Sequence, residues 1–272
     1  MKYEIKDTIL YLENVSVAYD GKTIIKDINL CEKDVISAGK VVGQTIAVVG
    51  RSGRGKSTLF KALTGLVKPT TGKVLIADVN SDAQDDAKIV SEGDVGFVDQ
   101  KYTLFRHKTI QQICNFALRK KNIGKEEKKS MVDKYLTEWG LFEHKDKYSC
   151  ELSGGQRQRT AIIEQLLSSS HFMVFDEPTS GLDVNAVEIM KTSFRKILEL
   201  DEYNTIIFST HNIEFAVEMA DSIYVIGHKD GCEDYSTIVK NYDLKEMGLA
   251  WEEFGPRHLK LVKDIKELII NS

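Results

Sequence analysis

Apolar and polar positions alternate near the start of the chain and change period further on. Ile9-Leu10-Tyr11-Leu12, Val15-Ser16-Val17-Ala18 and Thr23-Ile24-Ile25 read as strands, and Asp20-Gly21 between the last two runs is a hairpin signal. An antiparallel β subdomain is therefore expected at the N-terminus. From Thr45 the strand-sized runs lose their alternation. Residues 45–49, Phe172–Phe175, 205–208 and 223–226 are almost wholly apolar, with 74–76 and Val95–Val98 as shorter members. Helical spacing fills the gaps: from 56 to about 66, over 109–140 (Met131, Val132, Tyr135, Leu136, Trp139), over 184–200 (Val187, Met190, Phe194, Ile197, Leu198) and over 212–220. Asp183 stands at an N-cap position. Leu259, Val262, Ile265 and Ile269 share one face of a last helix, expected to pack on the core. Apolar strands alternating with amphipathic helices predict an α/β core, a mainly parallel sheet with helices on both faces. The helical stretch 102–168 breaks the alternation and reads as an inserted α-helical subdomain.

Composition narrows the picture. The chain has 272 residues, 42% hydrophobic and 29% charged, which suits a folded protein of one large domain or two modest ones. The reading is one domain over 1–228 and a short strand-and-helix extension over 229–272. A net charge of −4 argues against bulk nucleic acid as a partner. No window approaches the ~20 apolar residues of a membrane span. The start, MKYEIKDTILYLENV, lacks an apolar signal core, so a cytoplasmic protein is expected. Cys31, Cys114, Cys150 and Cys232 form no CxxC pair and are expected to be reduced, packed or idle thiols.

One segment carries chemistry outright. Gly50-Arg51-Ser52-Gly53-Arg54-Gly55-Lys56-Ser57 fits GxxxxGK[ST] and lies between a strand and a helix. Glycines let the backbone curl so that successive N–H groups face an anion, and the following helix adds its N-terminal N–H groups, beginning at Ser57 and Thr58. Lys56 can reach the β- and γ-phosphates of a nucleotide, and the Ser57 hydroxyl can ligate Mg²⁺. The strand Phe172–Phe175 ends in Asp176-Glu177. Asp176 at the carboxyl end of the strand is placed to hold Mg²⁺ through water. Glu177 can polarise a water for attack on the γ-phosphate.

Leu152-Ser153-Gly154-Gly155-Gln156, followed by Arg157-Gln158-Arg159, resembles the signature of ATP-binding-cassette (ABC) ATPases. The resemblance covers about residues 8–228 and implies a P-loop NTPase core binding ATP and Mg²⁺. It implies adenine stacking by Tyr19, and a role for Gln100 between the Mg²⁺ and water site and a membrane subunit. It also implies a γ-phosphate contact by His211 and a role for Asp183 across a dimer interface. Cassettes of this family close head to tail, so Ser153, Gly154, Gly155 and Gln156 would cradle the γ-phosphate bound by a second ABC domain, in a homodimer or a heterodimer. The function implied is the ATP-hydrolysing subunit of a transporter whose membrane-spanning subunits are separate chains, peripheral on the cytoplasmic face of the membrane. The alternative is a soluble single cassette serving a non-transport assembly complex. A third reading, a nucleotide-binding scaffold without turnover, is opposed by Glu177 and His211.

The chain departs from the family pattern in places. Residues 31–42 add about one hairpin's length, which either extends a hairpin near the adenine side or has no consequence. Arg51 and Arg54 add charge to the phosphate loop, for anion affinity or simply facing solvent. Asp230-Gly231 suggests a turn and 236–240 a last strand. Arg106, His107 and Lys108 lie where family members dock a membrane subunit's helix, and are otherwise a solvated basic stretch.

Overall fold

The computed structural model describes residues 3–37, 43–78, 87–169, 171–229 and 233–272. In chain order the strands and helices are β1 (Tyr3–Tyr19), β2 (Lys22–Ser37), β3 (Gln44–Val49), α1 (Lys56–Leu63), β4 (Thr71–Ala77), β5 (Ala87–Ile89), β6 (Val95–Val98), α2 (Ile110–Ala117), α3 (Lys125–Glu138), α4 (Gly154–Ser168), β7 (Phe172–Phe175), α5 (Val184–Leu200), β8 (Thr205–Thr210), α6 (Ile213–Met219), β9 (Ser222–Gly227), β10 (Thr237–Asp243) and α7 (Pro256–Ile270).

Two sheets form. One is antiparallel, in the order β2-β1-β4-β5; the other has six strands in the order β10-β9-β3-β8-β7-β6. In the larger sheet β6, β7, β8, β3 and β9 run parallel, and β10 is an antiparallel edge. β3 sits inside the sheet with all six residues buried, which is why its sequence shows no alternation. Ile46 and Val48 face one core, shared with Leu59, Phe60 and Leu63 of α1 and with Leu10, Leu12 and Val17 of β1. Ala47 and Val49 face the other core, built from α2, α4, α5, α6 and α7. One face is thus covered by a helix and the antiparallel sheet together, the other by helices. On the helical side Phe175, Phe194, Phe208 and Phe215 pack with centroids 4.8–6.0 Å apart, directly beneath the strand end that carries Asp176 and Glu177. Burying each ring stabilises the fold by about 1.5–3 kcal/mol.

Several boundaries differ from expectation. The first core helix stops at Leu63 rather than near 66, where the Thr64 hydroxyl turns back to the Phe60 carbonyl at 2.8 Å. The 109–140 stretch is two helices, separated by a 3₁₀ turn at Leu118–Lys120 and an extended passage to Gly124. Two local signals set the break. Thr109 and Gln112 form a capping box that fixes the start of α2, and Gly124 precedes a new start with Glu126 and Glu127 in its first turn. The added length at 31–42 does not lie near the Asp20-Gly21 turn. Through Ser37 it prolongs β2 at the opposite end of the ribbon, where Tyr3 pairs with Ser37 and Tyr11 with Cys31. Glu32 is buried there, accepting from the Tyr224 hydroxyl at 2.7 Å and lying 3.6 Å from the Lys245 ammonium. Residues 38–42, and the Asp230-Gly231 turn, lie outside the described residues. The last strand begins at Thr237 and runs on to Asp243. Ser236 instead bonds sideways to β2, its N–H donating to the Ile24 carbonyl and its carbonyl accepting from Lys26, each at 2.9 Å.

Candidate functional site

At the carboxyl ends of the parallel strands the loops after β3, β6, β7 and β8 converge. They enclose a cleft of about 560 Å³ lined by Ser52, Gly53, Gly55, Lys56, Ser57, Thr58, Gln100, Asp176, Glu177 and His211, with Ile24 and Ser180 at its rim. This is where an open α/β sheet presents a ligand site.

The loop between β3 and α1 takes its path because of its glycines. At Gly50 a Cβ would stand 2.3 Å from the Ile226 carbonyl oxygen, so only glycine lets β3 leave the sheet this close to β9. Gly55 has φ 81° and its Cβ would meet Ile25 at 2.6 Å. Gly55 precedes α1, which has no side-chain cap. The first N–H groups of that helix therefore open toward the loop, with the positive end of the helix dipole behind them.

Lys56 is buried. Its ammonium donates to the carbonyls of Gly50 at 2.9 Å and Arg51 at 3.2 Å, and lies 3.4 Å from Glu177 Oε1. The other Glu177 oxygen, Oε2, is 2.7 Å from His211 Nδ1 and accepts from the His211 backbone N–H at 3.3 Å. Glu177 thus joins a cation on one side to a histidine on the other. Its backbone has φ 51°, a left-handed conformation that a non-glycine residue adopts at a cost. Ser209 holds it in place: the Glu177 N–H donates to Ser209 Oγ at 2.9 Å, and Ser209 donates to Asp176 Oδ1 at 2.7 Å. One buried hydroxyl therefore fixes the Asp176 carboxylate and the backbone of Glu177. Gln100 donates to Ser180 Oγ at 2.9 Å. Tyr102 donates to the Pro178 carbonyl at 2.9 Å and accepts from Gln158 of α4 at 3.0 Å, linking the loop after β6 to the signature helix. Burial raises the Tyr102 hydroxyl to about 12, so it stays a proton donor.

The remaining expected residues lie elsewhere. Tyr19 ends β1, is exposed, and does not line the cleft. Arg51 is exposed. The Arg54 side chain is half-buried and turned toward His228. Its guanidinium sits 2.9 Å from His228 Nδ1 and donates to the Ser272 carbonyl at 3.4 Å. Ser153 and Gln156 form a reciprocal capping box at the start of α4, Ser153 Oγ accepting at 3.3 Å and Gln156 Oε1 at 3.0 Å. Asp183 caps α5, accepting from the Ala186 N–H at 2.8 Å. None of Ser153, Gly154, Gly155, Gln156 and Asp183 lines the cleft. Two polar residues had no assigned role in the sequence, Ser180 at the rim of the cleft and Ser209 buried behind its carboxylates. The signal for Ser209 was its place, the first polar residue after an apolar run on a strand beside the Asp176 strand.

The arrangement combines an anion-binding loop, a buried cation, a hard-oxygen pair at Ser57 and Asp176, and a carboxylate held against a histidine. It suits binding of a nucleoside triphosphate and attack by water on its last phosphate. Comparison with known proteins agrees. The ABC transporter family model matches residues 36–180. The chain is 32% identical over 245 residues to the sulfate/thiosulfate import ATP-binding protein CysA of Thermosynechococcus vestitus, covering 90% of this chain and 69% of that one. It is 34% identical to the arginine transport ATP-binding protein ArtM of Bacillus subtilis, covering 89% and 94%. It spans 58% of the corresponding CysA of a Synechocystis strain. Among solved structures it resembles cbiO1 from Clostridium perfringens, described as part of the ABC transporter complex cbiONQ, at a TM-score of 0.69 and 28% identity, covering 90% and 92%. The chain belongs to the ABC transporter family, as one of its ATP-binding, ATP-hydrolysing domains.

Proposed function

We propose that this chain hydrolyses ATP to drive transport through separate membrane-spanning subunits, and that it does so paired with a second cassette. The observation that carries the reading is the Lys56–Glu177–His211 chain of contacts in a cleft that also holds Ser57, Gln100 and Asp176. Lys56 would exchange its contacts with the Gly50 and Arg51 carbonyls for phosphate oxygens, which offer it full charge. Ser57, Gln100 and Asp176 would hold Mg²⁺. They line one cleft, they offer the oxygen donors this ion prefers, and Asp176 is pre-oriented by Ser209. When bound, Mg²⁺ offsets charge on the β- and γ-phosphates. Glu177 would orient the attacking water and accept its proton, with His211 fixing the carboxylate from its other side.

Gly154 and Gly155 support the need for a second cassette. A Cβ at either meets nothing within 4 Å, so the packing of this chain gives no reason for two glycines in the first turn of a helix. Each costs about 1 kcal/mol there relative to alanine. A phosphate of a second cassette approaching the helix start is a reason.

Residues 1–228 act as one cassette carrying the helical insert 102–168, and 229–272 as an extension of it. The face around Phe105, where Lys108 and Arg119 lie 5.4 Å and 4.1 Å from the Phe116 ring, suits the helix of a membrane subunit. Among the described residues no helix is long and apolar enough to cross a membrane, and the chain would act at the cytoplasmic membrane face. Glu177→Gln tests the reading. Phosphate release should fall by about 10²–10⁴-fold while ATP still binds, as expected when a general base is removed. Turnover near the unaltered rate would contradict the role of Glu177.

A further inference from the structure

We propose that His228 and residues 233–236 form a wall of the nucleoside end of the ATP site, and that Glu233 and Asp234 there accept hydrogen bonds from the nucleoside. The inference rests on the reading of the first cleft as the triphosphate site. A second cleft, of about 910 Å³, adjoins the first, and Ile24 and Gly53 line both. The catalytic groups Glu177, His211 and Gln100 lie only in the first. A triphosphate laid on the loop with its last phosphate toward Glu177 therefore extends its sugar and base past Ile24 and Gly53, into the second cleft. One side of that cleft is the Asp20-Gly21 turn, next to Tyr19; the other is His228 with residues 233–236.

This second wall is anchored rather than loosely apposed. Ser236 bonds to Ile24 and Lys26 through the backbone on both sides. The Lys26 ammonium lies over the Tyr235 ring, 4.8 Å from its centroid. Arg54, a residue of the phosphate loop itself, bonds to His228 and to the Ser272 carbonyl instead of turning toward the phosphates. The loop, the wall and the end of the chain are thus tied at one point. Glu233 and Asp234 line the cleft and are exposed in it. Both lie close enough to His228 to pull its proton affinity up, against the stronger effects of burial and Arg54, which lower it. Carboxylates only accept hydrogen bonds. The nucleoside offers donors of two kinds, the ribose hydroxyls and the exocyclic amine of adenine.

The experiment uses the full chain, the double variant Glu233→Gln/Asp234→Asn, and calorimetric binding of ATP, 2′-deoxy-ATP, ITP and inorganic triphosphate. Removing two negative charges near an anion site would by itself tighten binding of every ligand. A nucleoside contact predicts the opposite sign for ATP: about ten-fold weaker binding, with triphosphate unchanged or tighter. Loss of the penalty with 2′-deoxy-ATP assigns the contact to the hydroxyl, and its loss with ITP to the amine. Unchanged ATP affinity, or equal weakening of ATP and triphosphate, overturns the inference. Lys56→Ala run alongside should weaken triphosphate and ATP together. If it weakens neither, the reading of the first cleft fails on its own account.

Discussion

The phosphate loop and the start of α4 use the same devices, glycines and a helix N-terminus, but they finish them differently. α1 has no side-chain cap, and its opening faces Lys56, Ser57, Asp176 and Glu177 of its own chain. α4 is capped by its own Ser153 and Gln156, and its two glycines face open space. The capping box claims the Gln156 N–H and leaves those of Gly154 and Gly155 without an intrahelical acceptor. The first site brings together everything needed to bind a triphosphate. On the proposed function, the second is a cradle for an anion supplied by another cassette.

After the loss of turnover expected at Glu177, the largest test of this contrast is Lys56→Ala. Losing a buried charge-assisted contact to phosphate should weaken ATP binding by about ten- to hundred-fold, measured by calorimetry. Gly155→Ala separates the two sites. It should raise stability by up to about 1 kcal/mol in chemical denaturation, leave single-chain ATP affinity unchanged, and lower turnover. Unaltered turnover would mean that nothing approaches that helix start.

The smallest effect concerns the body of α4. Glu164 is half-buried there, and burial raises its carboxyl to about 7 from 4.5, although Arg119 pulls it back. Between those values the folded chain holds a proton that the unfolded chain has released. Stability is therefore lost as pH rises through that window. Glu164→Gln should match the unaltered protein below pH 4.5 and melt higher above pH 7. Equal melting temperatures at both ends would remove this cost from α4.

The two regions were not equally legible in the sequence. The loop could be read because its chemistry is local: GxxxxGK[ST] follows an apolar strand, and Asp176-Glu177 end another. The signature helix could be read by resemblance, because nothing among the described residues packs against its glycines. What escaped depends on partners far along the chain. Arg54 could not be placed from the loop alone, since its histidine lies 174 positions away. Ser209 looked like any polar strand end until β8 was set beside β7, where it bonds the Asp176 carboxylate and the Glu177 backbone N–H. The place of the added length at 31–42 stayed open in the sequence, because pairing register, not loop length, decides which end of a ribbon grows.

The central claim is that a site complete for binding needs a second copy for hydrolysis. Light scattering on Glu177→Gln, with and without ATP, tests it most directly. The account predicts that ATP doubles the mass and that the Gly155→Ala substitution in the same chain prevents the doubling. A protein that binds ATP at unchanged mass, while the unaltered chain hydrolyses ATP in strict proportion to its concentration, would contradict it.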